Sequence, residues 1–236
     1  MAVVGFLVNP IAGMGGRVGL KGTDEMEAEA RRRGAQPVAP RRALEMLRAL
    51  KAALDREPTP PVLEWISCAG GMGADVLKES GFGPATVIPI PQPGKPTSAD
   101  QTRAAAAEFL AAQVDIILFC GGDGTARDVA SVVDQRVPIL GIPSGVKMYS
   151  GVFGASPSRT ADILLRFLKG ELRLSEAEVL DLDEERYRAG EWTVRLYQVA
   201  LTPFEPTYSQ PSKQLVFEAS DEDMKALIAD HIAEII

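Results

Sequence analysis

Short apolar strands alternating with helical patterns predict an α/β protein built on a parallel sheet. Two further observations shape that expectation. Glycine-rich loops follow four of the strands, and after about residue 172 the alternation gives way to hairpin patterning. The expected organisation is an α/β parallel-sheet domain over residues 1–172, then part of a β-rich second domain and a final helix over 173–236.

The chain opens with AVVGFLV at 2–8, apolar throughout and halted by Asn9-Pro10. That suits a first strand, and it lacks the basic start of a signal peptide. Apolar runs at 62–68 (VLEWISC), 86–90 (TVIPI), 114–120 (VDIILFC) and 138–142 (PILGI) read as further strands. Helical patterns fall near 41–54, 73–80, 98–112, 126–134 and 157–168. Strands of this kind are covered on both faces, and such sheets bind ligands beyond their carboxyl ends. Later, EAEVLDLDEERYRAGEWTVRLYQVALTPF reads as two antiparallel strands joined through Ala189-Gly190, with Trp192, Val194, Leu196 and Gln198 on one face. SDEDMKALIADHIAEII then forms a helix N-capped by Ser220, with Asp223 three residues on. Its apolar end, Ile235 and Ile236, predicts contact with another subunit or a helix packed back onto the first domain, so a homo-oligomer is expected.

A chain of 236 residues can bury roughly 70–75% of its unfolded surface without a staple. Cys68 and Cys120 form no CxxC pair, and each ends an apolar run. They read as small buried strand residues in a reducing compartment. No apolar run approaches the ~18 residues of a membrane span, so a cytoplasmic protein without a membrane partner is expected. The net charge of −7 argues against bulk binding to nucleic acid. Arg31, Arg32, Arg33, Arg41 and Arg42 concentrate in RRRGAQPVAPRR, which reads as a solvated helix end and loop, with a phosphate-binding patch as the alternative.

The glycine loops are NPIAGMGGRVGLKGTD (9–24), AGGMGAD (69–75), GGDGTARD (121–128) and PSGVKMYSG (143–151). Following parallel strands, all four belong to one edge of the sheet. Glycines there let a ligand approach backbone N–H groups closely, which makes Gly13, Gly71, Gly73, Gly121, Gly122, Gly124 and Gly145 candidate nucleotide-binding positions. Any one loop could instead be a tight turn. Two common phosphate motifs are absent: Lys21 is followed by Gly22, and Val18 stands where GxGxxG needs its last glycine. Thr125 with Asp128 fits a capping box, placing the helix start at Ala126 and Asp123 in the turn before it. Asp123 would then face a ligand, as a base toward a hydroxyl or as an acid toward magnesium, unless it merely caps its own backbone. Lys147, a cation within a glycine loop, could neutralise phosphate or be solvated. Met148, Tyr149 and Phe153 read as core.

GGDGT after an apolar strand resembles the motif shared by the NAD kinase, diacylglycerol kinase and phosphofructokinase superfamily. Taken with VNPIAGMGGRVGLKGTD and GIPSGVKMYSGVF, the chain resembles the ATP-NAD kinase-like family, which includes relatives in acetoin-catabolism gene clusters. The resemblance implies an NAD kinase-like N-terminal domain, a β-rich second domain and an active site between them. It implies that Asp123 is the base toward the ribose 2′-hydroxyl of NAD, with ATP or polyphosphate as phosphoryl donor and Mg2+ as cofactor. Asn9, Gly121, Gly122 and Gly124 would contact nucleotide phosphate, Thr125 belongs to the same loop, and Gly145 matches the family's Pro-x-Gly loop.

Where the family carries an Asn-Glu pair in its second domain, the matching strand end here reads VALTPFEP, with Glu205 displaced from the matching position. Two alternatives therefore stand beside an NAD kinase: a nucleotide-binding regulator without turnover, and a lipid or sugar-phosphate kinase on the same fold. The only histidine, His231, lies far in sequence from every glycine loop and reads as one face of an amphipathic helix, which leaves a serine or cysteine hydrolase without its base. No Cys/His cluster has metal-site spacing, so no protein-ligated metal site is expected.

Overall fold

The structure, a computed structural model, describes residues 1–13, 32, 37–83, 85–90, 97–145, 148–182 and 193–205. Five strands form one parallel sheet: β1 (Ala2–Val8), β2 (Leu63–Cys68), β3 (Thr86–Ile88), β4 (Ile116–Gly121) and β5 (Ile139–Pro143), in the order β3-β2-β1-β4-β5. An antiparallel pair follows, β6 (Leu174–Leu182) with β7 (Val194–Pro203). The helices are α1 (Ala39–Leu54), α2 (Ala74–Ser80), α3 (Ala99–Ala111), α4 (Asp123–Val133) and α5 (Pro157–Leu168). This is the α/β architecture the alternating pattern predicts.

Apolar strands fold this way because both sheet faces are covered. Val4, Phe6 and Val8 of β1, with Ile116, Leu118 and Cys120 of β4, share one core with α1 and α5. Leu7, Ile117 and Phe119 face the other core, built from α3, α4, Phe153 and the inner residues Val179 and Ala200 of the hairpin. Both cysteines are buried thiols. Burial pushes the Cys68 thiol up to about 12 and raises that of Cys120, whose Sγ donates to Ala39 O at 3.2 Å.

Strand ends deviate from the expected bounds for local reasons. β3 stops at Ile88 because Pro89 has no N–H for the ladder. Ala69 N–H instead bonds the carbonyls of Ile88 (3.1 Å) and Ile90 (2.8 Å). In the hairpin, Val179 pairs with Gln198 but Leu180 pairs with Leu196, so Tyr197 is the extra residue of a bulge. On the opposite strand, the successive residues Val179 and Leu180 are both buried. The expected apolar face of β7 is covered only at its far end. Ala200 and Thr202 are buried, whereas Leu196 is 46% exposed, and Trp192 lies outside the described residues. The Ala189-Gly190 turn, the helix at 220–236, His231, Ile235 and Ile236 also lie outside them.

Gly141 of β5 sits beneath aromatic rings. A Cβ there would overlap the Phe153 ring and stand 2.9 Å from Cζ of Phe119, while those two rings pack edge to face at 5.4 Å. Gly141→Ala should therefore lower stability by about 1–3 kcal/mol through overpacking. Urea unfolding checks this; an unchanged midpoint would show that Phe153 can move aside.

Candidate functional site

The order of the sheet sets the site. β1 connects leftward to β2, while β4 lies on its other side, so the strand order reverses between β1 and β4. A crevice opens at that point beyond the carboxyl ends. The loops after β1, β4 and β5 meet there. Asn9 N–H bonds Cys120 O at 2.9 Å, its Nδ2 donates to Thr125 Oγ1 at 3.0 Å, and its Oδ1 accepts from Ile11 N–H at 3.3 Å. Gly13, at φ +80°, packs against the carbonyl of Ser144 in the loop after β5. Ser144 N–H in turn bonds Gly121 O at 3.1 Å. The fourth loop, carrying Gly71 and Gly73, occupies the same edge one strand further out, at the end of β2.

The GGDGT stretch departs from its expected geometry. α4 begins at Asp123, three residues earlier than Thr125 and Asp128 predict, with Gly122 as an extended N-cap that offers no side-chain cap. The capping-box pair is engaged elsewhere. Thr125 Oγ1 receives Asn9, and Asp128 accepts from Arg103 at 2.7 Å, an arginine that also holds Asp100 at 2.5 Å.

Asp123 is not exposed in a turn. It is 9% exposed, and its carboxylate accepts bonds from Tyr149 and Ser150. Tyr149 N–H reaches Oδ2 at 2.9 Å; Ser150 N–H at 2.9 Å and Ser150 Oγ at 2.6 Å reach Oδ1. The acid therefore ties the start of α4 to the loop after β5. That loop continues onto the hairpin, where Gly151 N–H bonds Glu178 O at 2.9 Å and Ser150 Oγ contacts both backbone groups of Leu180. Arg127 adds a second link from α4, pairing with Asp181 at 2.9 Å and stacking on the Tyr197 ring at 5.3 Å. Ser150 escaped the sequence reading, since a serine in a glycine loop is an ordinary turn residue. Ser144 escaped it too; its Oγ is buried with no hydrogen-bond partner among the described residues.

The candidate glycines divide by what a side chain would meet. At Gly73 and Gly121 a Cβ would overlap Ser67 Oγ and the Thr125 side chain, so packing alone explains them. At Gly71 and Gly122 nothing among the described residues lies within 4 Å. Gly124 meets only Asp181 Oδ2 at 3.6 Å, and Gly145 only Met148, whose Sδ stands at 3.6 Å. Met148 and Phe153 are buried as expected, Tyr149 is half-buried, and Lys147 lies outside the described residues. Glu205 pairs with Arg166 of α5, away from the GGDGT loop. Arg41 is exposed and Arg42 pairs with Glu45 at 3.4 Å, while Arg31 and Arg33 lie outside the described residues. Among the described residues, no three His, Cys, Asp or Glu side chains group to hold a metal ion, and no helix is long and apolar enough to cross a membrane.

Open space at Gly122 makes it the position to alter. Gly122→Ala should cost no more than about 0.5 kcal/mol, since its backbone is extended and its surroundings empty. Nucleotide binding, measured by calorimetry with ATP and with NAD, should weaken at least tenfold, on the order of 1.4 kcal/mol. An alanine variant that binds as the parent does would remove Gly122 from the contact set.

Solved structures similar to the chain include a UDP-N-acetylglucosamine 2-epimerase, 12% identical with a TM-score of 0.34, covering 59% of this chain and 32% of that one. Another is the UDP-GlcNAc 2-epimerase from Neisseria meningitidis bound to UDP-GlcNAc, 14% identical with a TM-score of 0.36, covering 63% and 34%. The chain thus spans about a third of the length of each. No curated protein matches it. Residues 4–172, which contain the parallel sheet apart from Ala2 and Val3 and include the GGDGT loop, match the family model described as ATP-NAD kinase N-terminal domain. The chain belongs to the ATP-NAD kinase family.

Proposed function

We propose that this protein transfers a phosphoryl group to the ribose 2′-hydroxyl of NAD, with ATP or polyphosphate as donor, and so forms NADP. Family membership supports a kinase function that uses nucleotide substrates. The observation that carries the finer reading is the position of Asp123, a buried carboxylate held at the switch point beside the uncapped start of α4. In phosphoryl transfer the protein mainly positions reactants and stabilises charge, so backbone N–H groups and one acid suffice. The 2′-oxygen attacks the terminal phosphorus of the donor, the bond to the leaving phosphate breaks, and the hydroxyl proton passes to Asp123. Gly122 and Gly124 leave room for phosphate against the α4 N–H groups, where the helix dipole favours negative charge.

Mg2+, when bound, would supply charge neutralisation on the donor phosphates, taking few protein ligands and keeping phosphate and water oxygens. Asp123 and Asp181 are the acids beside the loop, and each already takes part in bonds within the protein. Two observations favour the regulator without turnover: Asp123 serves as a structural tie, and Glu205, displaced from the position of the family's Asn-Glu, is paired with Arg166.

Incubation with NAD, Mg2+ and either ATP or polyphosphate should yield NADP. Absence of NADP alongside measurable nucleotide binding would favour the regulator. Asp123→Asn should lower turnover by roughly 10²–10⁴-fold per folded molecule, the worth of a positioned acid–base group. It should also lower stability by about 1–3 kcal/mol, because an amide turns one N–H group toward donors that the carboxylate accepts. Turnover retained per folded molecule would make Asp123 a tie and not a base.

A further inference from the structure

Ser150 is fully buried, and its hydroxyl stands between two elements. Oγ accepts from Leu180 N–H at 3.0 Å, leaving one proton to donate. Two acceptors compete for it: Asp123 Oδ1 at 2.6 Å and Leu180 O at 2.9 Å. A charged carboxylate is the stronger acceptor, so with Asp123 ionised the proton lies on that side. When the carboxyl carries its proton on Oδ1, that oxygen can donate to Ser150 Oγ, and the hydroxyl has Leu180 O within reach. Turning to it leaves no buried polar group without a partner, because Oγ can then accept toward Asp123. Without such a second acceptor, a buried acid would change charge against donors fixed to suit only one state.

We propose that Ser150 is a positioning residue for Asp123: its hydroxyl holds the carboxylate in the ionised state and re-aims to the Leu180 carbonyl when the acid takes a proton. The proton of Ser150 is never given up; only its direction changes. This rests on the reading of Asp123 as a base. The arrangement makes the bulge at Val179/Leu180 part of the site, because it sets where both backbone groups of Leu180 stand.

Three variants of Ser150, Asp123→Asn and the parent test this by steady-state assay of NADP formation, with rates expressed per folded molecule and the KM for NAD measured alongside. Ser150→Ala should lower kcat about tenfold to a hundredfold, the worth of a hydrogen bond to a charged group, with KM within about twofold. Ser150→Thr restores the hydroxyl and should recover most of kcat. Ser150→Cys fills the space but bonds weakly, and should not. A cysteine variant as active as the parent, or an alanine variant whose loss falls wholly on KM or on folding, would reduce Ser150 to a structural strut. Should the parent and Asp123→Asn turn over alike, or the parent form no NADP, both this proposal and the base reading fall. A parent that is active, an Asp123→Asn that is inactive and a Ser150→Ala with full kcat would overturn the role of Ser150 alone.

Discussion

One carboxylate joins three parts of this molecule. Asp123 opens α4, and the backbone N–H groups it receives belong to the loop after β5, which is bonded to β6 through Ser150 and Gly151. Those N–H groups take a side-chain acceptor and not a strand ladder. Without an acceptor they would be buried donors, each costing on the order of 1–3 kcal/mol. The loop's course from the parallel sheet to the hairpin therefore depends on an acid supplied by another element. The placement of the hairpin against α4 depends on it as well, with Arg127–Asp181 as a half-buried second link.

This arrangement places one residue under two demands. A tie works best with a permanently charged acceptor, and a base must change charge. Proteins reconcile such demands by surrounding the group with donors able to reorient. A hydroxyl can do so and a backbone N–H cannot. At Asp123 the backbone N–H groups of Tyr149 and Ser150 are fixed donors and the Ser150 hydroxyl is a rotor, which holds the acid in place while leaving that partner adjustable.

The sheet was legible in the sequence because its strands are uniformly apolar and bounded by Pro, Gly and Asn, so each element appeared within a few residues of its place. What escaped was tertiary. Thr125 and Asp128 satisfy a local capping rule, yet Asn9 and Arg103, both distant in the chain, draw their side chains away. Local rules cannot anticipate a competitor brought in by folding. The same holds for the glycines. Seven looked alike in sequence, but Gly73 and Gly121 are dictated by neighbouring side chains, while Gly71 and Gly122 face empty space. Leu196 follows the alternation of a buried strand face and is nevertheless exposed, since α4 covers only part of the hairpin.

The central position of β1 has a consequence for how the chain assembles. β1 is flanked by β2 and β4, and the bond from Val3 N–H to Asp115 closes a separation of 112 residues. At ordinary rates of synthesis that separation takes on the order of ten seconds to translate. During that interval AVVGFLV is an apolar strand lacking one lateral neighbour, and non-local pairing of this kind is intrinsically slow. β1 thus passes part of synthesis with one apolar edge open, and is enclosed on both sides once β4 arrives.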